Sequence, residues 1–314
     1  MRRDGPGRLT SPPPDPSSVR IEGPWHHRMV AANGARFHVA EVGEGPLVVL
    51  VHGFPLFWWT WRSALTALAE AGYRALAMDL RGYGASDKPP RGYDPFTLAA
   101  DVAGVIRSVG EPAAVVVGHG VGGEVTWAMT ALTPQVVRAA AVVSAPHPRA
   151  VRSALVTDPH QLARLGSGFA AQLPRLPERK LTARDAVAVT TLLRRWSARP
   201  WPAGREALDR YASAFRIPGV AHSAIEMSRW AGRSLLRPDG LRFAGRMRQP
   251  PGVPVLHVHG DADPLLLPRT AAASAALLGG THAATALPGV GHFPQEEDPQ
   301  AFLETLLGWL IALR

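Results

Sequence analysis

From residue 36 onward, short apolar runs alternate with stretches of helical spacing. Arg36–Val42 alternates apolar and polar positions, the pattern of a half-buried strand. Pro46-Leu-Val-Val-Leu-Val51 is apolar without interruption, as a central parallel strand covered on both faces requires. The spacing predicts a helix over 59–71 that stops at Gly72, a buried strand over 73–79 and a helix over 95–109 ending at Gly110. A strand follows over 112–117, then a tight turn and helix, then an apolar strand over 136–143. The alternation breaks from about 146 to 247, where Pro-punctuated amphipathic helical stretches contain no buried strand. It resumes with a strand over 253–259, a helix over 268–278, a strand over 283–287 and a closing helix over 298–313. Strands alternating with helices predict an α/β, doubly wound, mostly parallel sheet. A helical insertion between its strands forms a lid over their C-terminal ends. The expected organisation is a core of 25–145 and 248–314 with a lid of 146–247. Residues 1–24, rich in Pro, Ser and Arg, read as a disordered tail.

Composition adds charge to this picture. Of 314 residues 46% are hydrophobic, enough for a full core. The net charge is +9, yet residues 149–248 hold 19 Lys and Arg against 7 Asp and Glu. The insertion is therefore basic by 12 and the rest acidic by 3. No basic run is interleaved with aromatics, so nucleic acid is not an expected partner and the excess reads as a solvated Arg-rich surface. The absence of Cys excludes disulfides, thiolate metal sites and thiol nucleophiles. No apolar run has membrane length, and Met1-Arg2-Arg3-Asp4 leads into prolines rather than a signal core, so a cytoplasmic chain is expected. Oligomeric state stays open.

The chemistry centres on Val117-Gly118-His119-Gly120-Val121-Gly122-Gly123. An apolar run passing through small-x-X-x-small into a helix is a nucleophile elbow, which holds its central residue on a strained corner at the top of a sheet. That residue is Gly120, which has no side chain; a turn with positive φ suits glycine, so the corner persists without an attacking atom. Asp263 follows one buried strand and His292 the next, the chain order of acid and base in such a fold. In Gly260-Asp-Ala-Asp263, either Asp261 or Asp263 is also a plausible turn residue. A carboxylate on one imidazole nitrogen leaves the other to take a proton. The backbone N–H groups of Phe54 and Val121 are the expected oxyanion donors. His257 and His259 share one strand face, but two imidazoles without further ligands imply no metal. Gly118–Gly123 fits neither a phosphate loop nor a dinucleotide fingerprint, so no cofactor is expected.

Five motifs in order carry a resemblance: His52-Gly-Phe-Pro55, Asp79-Leu-Arg-Gly-Tyr-Gly-Ala-Ser86, the elbow, Gly260-Asp-Ala-Asp263-Pro264 and Gly291-His292-Phe293. From Trp25 to Arg314 the chain resembles the α/β-hydrolase fold, in particular its epoxide hydrolase branch, similar to the haloalkane and fluoroacetate dehalogenases. The resemblance implies an Asp or Ser at position 120, where this chain departs with Gly120. It implies a halide-binding Trp or Arg at 121 in dehalogenases, where Val121 argues against that activity. It also implies two lid tyrosines that polarise the epoxide oxygen. Tyr211 is the one candidate in the lid, since Met227-Ser228 occupies the segment of the second. Ser228 and His222 are weaker stand-ins, and Trp59 and Trp61 read as packing. The expectation is a hydrolase in which His292 and Asp263 activate water against a small hydrophobic epoxide, ester or lactone. The alternatives are a His–Asp-dependent isomerase or cyclase, and a non-catalytic binder of an apolar ligand or a partner.

Overall fold

The computed structural model describes residues 12–201, 203–234, 237–278 and 282–313. Eight strands form one sheet: β1 His26–Ala32, β2 Ala35–Val42, β3 Leu47–Val51, β4 Arg74–Met78, β5 Ala114–His119, β6 Val137–Val143, β7 Val255–Gly260 and β8 His282–Leu287. Their order is β1-β2-β4-β3-β5-β6-β7-β8, with β1–β2 and β2–β4 antiparallel and every other pairing parallel. Every residue of β3 and β5 is buried, which is why those runs carry no polar alternation. Edge strand β8 instead alternates exposed and half-buried positions up to Leu287.

The helices are α1 Arg62–Glu70, α2 Pro95–Ser108, α3 Val121–Leu132, α4 Pro148–Thr157, α5 Pro159–Leu165, α6 Leu176–Trp196, α7 Gly204–Phe215, α8 Val220–Arg233, α9 Pro238–Arg246, α10 Pro268–Ala275, α11 Pro294–Glu297 and α12 Pro299–Ala312. Helices α4 to α9 are inserted between β6 and β7 and bonded to loops that leave the C-terminal ends of strands. The Tyr93 and Ser223 hydroxyls lie 2.7 Å apart, and the Gln161 side-chain amide donates to the Leu265 carbonyl at 3.0 Å. The Ala198 N–H donates to the Glu297 carboxylate at 2.8 Å.

Two features depart from the reading of the sequence. Strand β1 was absent from the predicted elements, because it buries only Val30 and shows no alternation to detect. Residues 12–24, expected to be part of a disordered tail, are packed on the core. Val19 is buried, the Trp58 indole donates to its carbonyl at 2.8 Å, and the indole of Trp25 and a ring nitrogen of His27 donate to the carbonyl of Ile21. Backbone acceptors do this work, and composition does not reveal them. Residues 1–11 of the expected tail lie outside the described residues.

Candidate active site

The elbow is built by close approach. A Cβ on Gly122 would lie 2.2 Å from the Val51 carbonyl oxygen, and one on Gly118 equally close to that of Gly122, so only glycine lets α3 start this near the sheet. Gly120 differs. It has φ +53° and ψ −117°, a region costly for any L side chain, but a Cβ there would meet nothing nearer than 3.7 Å. The two atoms at that distance are the Gly53 Cα and the His292 Nε2. The place a side chain at residue 120 would occupy therefore faces the imidazole directly.

His292 is held from four directions. Its Nδ1 donates to Asp263 Oδ2 at 2.8 Å, leaving Nε2 as the nitrogen turned toward residue 120. Its N–H donates to the Trp196 carbonyl, and its own carbonyl accepts from His119 Nε2 at 2.8 Å. Glu297 accepts from the N–H groups of Gly291 and Phe293 on either side. The other oxygen of Asp263 accepts from the N–H groups of Leu265 and Leu266 at 2.7 and 3.0 Å. Burial pushes the Asp263 pKa up, but His292 and these amides outweigh it and hold the carboxyl below its ordinary range. Asp261, the other candidate, is exposed and accepts from the Gly289 N–H at 2.6 Å, a turn contact. Burial drives the pKa of His119 down to about 3, so its ring is a neutral strut.

Phe54 follows Gly53, whose Cα borders the Cβ position of residue 120, and Val121 follows Gly120; neither N–H has a hydrogen-bond acceptor among the described residues. Phe54, Gly120 and Val121 are each partly open, whereas His52, Gly53, His119 and Gly122 around them are buried. The Phe54 loop is positioned by Asp79, whose carboxylate accepts from the N–H groups of Trp58 and Ala85 and from His38 Nδ1. Trp196 and Phe215 from the insertion pack on Phe54, and Trp196 also packs on His292.

Tyr211, the expected lid donor, is fully buried and gives its hydroxyl proton to Glu296. That carboxylate is clamped by Arg62 through two bonds of 2.7 and 2.9 Å. Burial and the Glu296 charge push the phenol pKa well above its ordinary value. Ser228 and His222 lie exposed on α8, Trp59 stacks under Arg62, and Trp61 is buried against Phe302. His257 and His259 are buried, and the described residues contain no group of three or more His, Cys, Asp or Glu that could hold a metal ion.

A model of the alpha/beta hydrolase fold matches residues 46–299, the span from β3 through every motif at this site. The chain belongs to the alpha/beta hydrolase fold family. It is 32% identical to Epoxide hydrolase A of Mycobacterium tuberculosis over 91% of this chain and 97% of that protein. It is 35% identical to the AB hydrolase superfamily protein YfhM of Bacillus subtilis over 64% of this chain and 72% of that one. Among solved structures, an epoxide hydrolase from an endophytic Streptomyces superposes with a TM-score of 0.78 at 30% identity, covering 93% of this chain and 97% of that chain. No described helix is long and apolar enough to cross a membrane.

Sequence reasoning missed Trp196, Glu296 and Glu297, which act through tertiary contacts, and Glu124, one turn into α3 from the elbow. A signal for Glu124 was present: it is the only charged residue between Glu111 and Arg138.

Proposed function

We propose that the protein is a hydrolase of the epoxide hydrolase branch that works without a covalent intermediate. A water in the space left by Gly120 is deprotonated by His292, oriented by Asp263, and attacks a small hydrophobic epoxide, ester or lactone directly. The reading rests above all on the His292 Nε2, which lies 3.7 Å from the Cβ position of an otherwise unfilled elbow. The kinship with proteins named epoxide hydrolases makes an epoxide the first substrate class to test. The phenol of Tyr211 has its proton committed to Glu296, so polarisation of the substrate oxygen falls to the Phe54 and Val121 amides or to another donor.

The experiment is hydrolysis of styrene oxide, p-nitrophenyl butyrate and an alkyl γ-lactone by the wild type, His292→Ala and Gly120→Asp. Wild-type turnover abolished in His292→Ala supports the water route. Activity found only after Gly120→Asp defeats it and marks the chain as a binder on a dormant scaffold. Conversion of a panel compound to an isomer with no water incorporated selects the isomerase alternative.

A further inference from the structure

Glu124 is a carboxylate without an evident structural task. Its N–H donates to the Gly120 carbonyl at 3.0 Å, placing it one turn into α3. A helical side chain tilts toward the N-terminus of its helix, so Glu124 projects toward the elbow end of α3. In this turn Gly122, Gly123, Val125 and Thr126 are buried, whereas Gly120 and Val121 are partly open and Glu124 is exposed. The three accessible positions thus lie within the first turn of α3 and the corner that opens it. Although open on this face, the Glu124 carboxyl is surrounded by protein, and that burial, with no charged neighbour contributing, lifts its pKa to about 7. The Glu124 carboxyl has no hydrogen-bond or ion-pair partner among the described residues.

Titratable groups on the elements packed against α3 are engaged elsewhere. On α2, Asp94 caps its own helix and Asp101 is paired with Arg81. On β5, His119 donates to the His292 carbonyl; after β6, His147 packs edge-on against Trp127 and accepts from the Arg149 N–H. Arg107 and Arg138 are exposed, on the last turn of α2 and at the start of β6, toward the opposite end of the strands from the elbow.

We propose that Glu124 is the general acid of the reaction, protonating the ring oxygen of an epoxide as His292 takes a proton from the attacking water. This rests on the hydrolase reading above and adds the donor that Tyr211 does not supply. The water oxygen forms a bond to the ring carbon, the carbon–oxygen bond breaks, and its electron pair takes the Glu124 proton. The product is a vicinal diol, and the proton on His292 returns to Glu124 through solvent. A nucleophilic role needs the ionised form, which an unpaired carboxyl in such surroundings disfavours.

The test has two arms. In the first, thermal unfolding of the wild type and Glu124→Gln is followed from pH 4 to 8, with no substrate. The carboxyl loses its proton below its folded value only in the unfolded chain, so the wild type falls behind as pH rises from about 4.5 to about 7. A Tm advantage of Glu124→Gln that opens across this window supports the assignment; a constant difference overturns it. The second arm is turnover of styrene oxide in ¹⁸O-labelled water. The expected result is a wild-type rate that falls above about pH 7, a loss of about 100-fold or more in Glu124→Gln with that limb gone, and label in the first-turnover diol. Unlabelled oxygen in that diol makes a protein carboxylate the nucleophile and overturns the acid role. Turnover left intact in Glu124→Gln overturns the acid role alone, whereas a wild type with no epoxide turnover sinks the hydrolase reading and the acid role with it.

Discussion

Two buried carboxylate–histidine clusters sit at the C-terminal side of this sheet, built from the same parts to different ends. In one, Asp79 bonds His38, His38 Nε2 lies 3.0 Å from His27 Nδ1, and His27 Nε2 bonds the Ile21 carbonyl at 2.8 Å. Every ring nitrogen is engaged. No nitrogen of the pair is left to face open space, so with Asp79 the two rings form a closed structural unit. In the other, His292 has Asp263 on one nitrogen and an unfilled elbow before the second. A histidine–carboxylate couple becomes a candidate site when one nitrogen is left free and aimed at open space. The first cluster ties the Phe54 loop and the segment near Ile21 to the sheet, and the second is what they frame.

The comparison breaks most visibly if the two histidines are exchanged in importance. His292→Ala is expected to lower kcat/KM by about 10³-fold or more in any hydrolysis the wild type performs, with little change in the urea midpoint. His38→Ala, which leaves Asp79 buried without its imidazole, is expected to cost about 3–5 kcal/mol in urea unfolding. The remaining folded fraction should stay active; the opposite pattern would refute the contrast. Asp263→Asn is expected to lose about 10²–10⁴-fold in turnover through a misoriented imidazole, checked by the same kinetics. Tyr211→Phe sharpens the contrast from the insertion side. It should cost about 1.5–3 kcal/mol of stability, the range for a hydrogen bond to a charged group, while turnover changes less than about threefold.

The smallest effect is in acid. The Asp79 and Asp263 pKa values both lie below the ordinary 3.8 despite burial, held there by their histidines and backbone amides. Their contribution is thus present above pH 3.8 and lost as pH falls through the lower folded values. Urea midpoints measured from pH 5 to 2 should decline more gently in Asp79→Asn than in the wild type.

Much of this was legible along the chain because it is local. Periodicity marked seven of the eight strands, and glycine spacing marked the elbow before any contact was known. Strand β1 escaped because an edge strand that buries only Val30 has no second face to advertise. Residues 12–24 escaped because carbonyl oxygens, which every residue has, are what Trp25, His27 and Trp58 bind there. The choice between Asp261 and Asp263 needed three dimensions: two residues apart in sequence, one meets a turn amide and the other meets His292.

The amino-acid sequence alone determined the order of strands and helices, the place of the insertion and the loss of a side chain at residue 120. Hydrophobic spacing and glycine sterics act over a few residues, so one dimension suffices for them. Only the tertiary structure decided how close the His292 imidazole comes to that gap, that the Tyr211 proton belongs to Glu296, and that Glu124 stands without a counter-charge one turn from the elbow. Those properties depend on what lies across 30 to 170 residues of chain, where burial and partners set the charge and reach of each group.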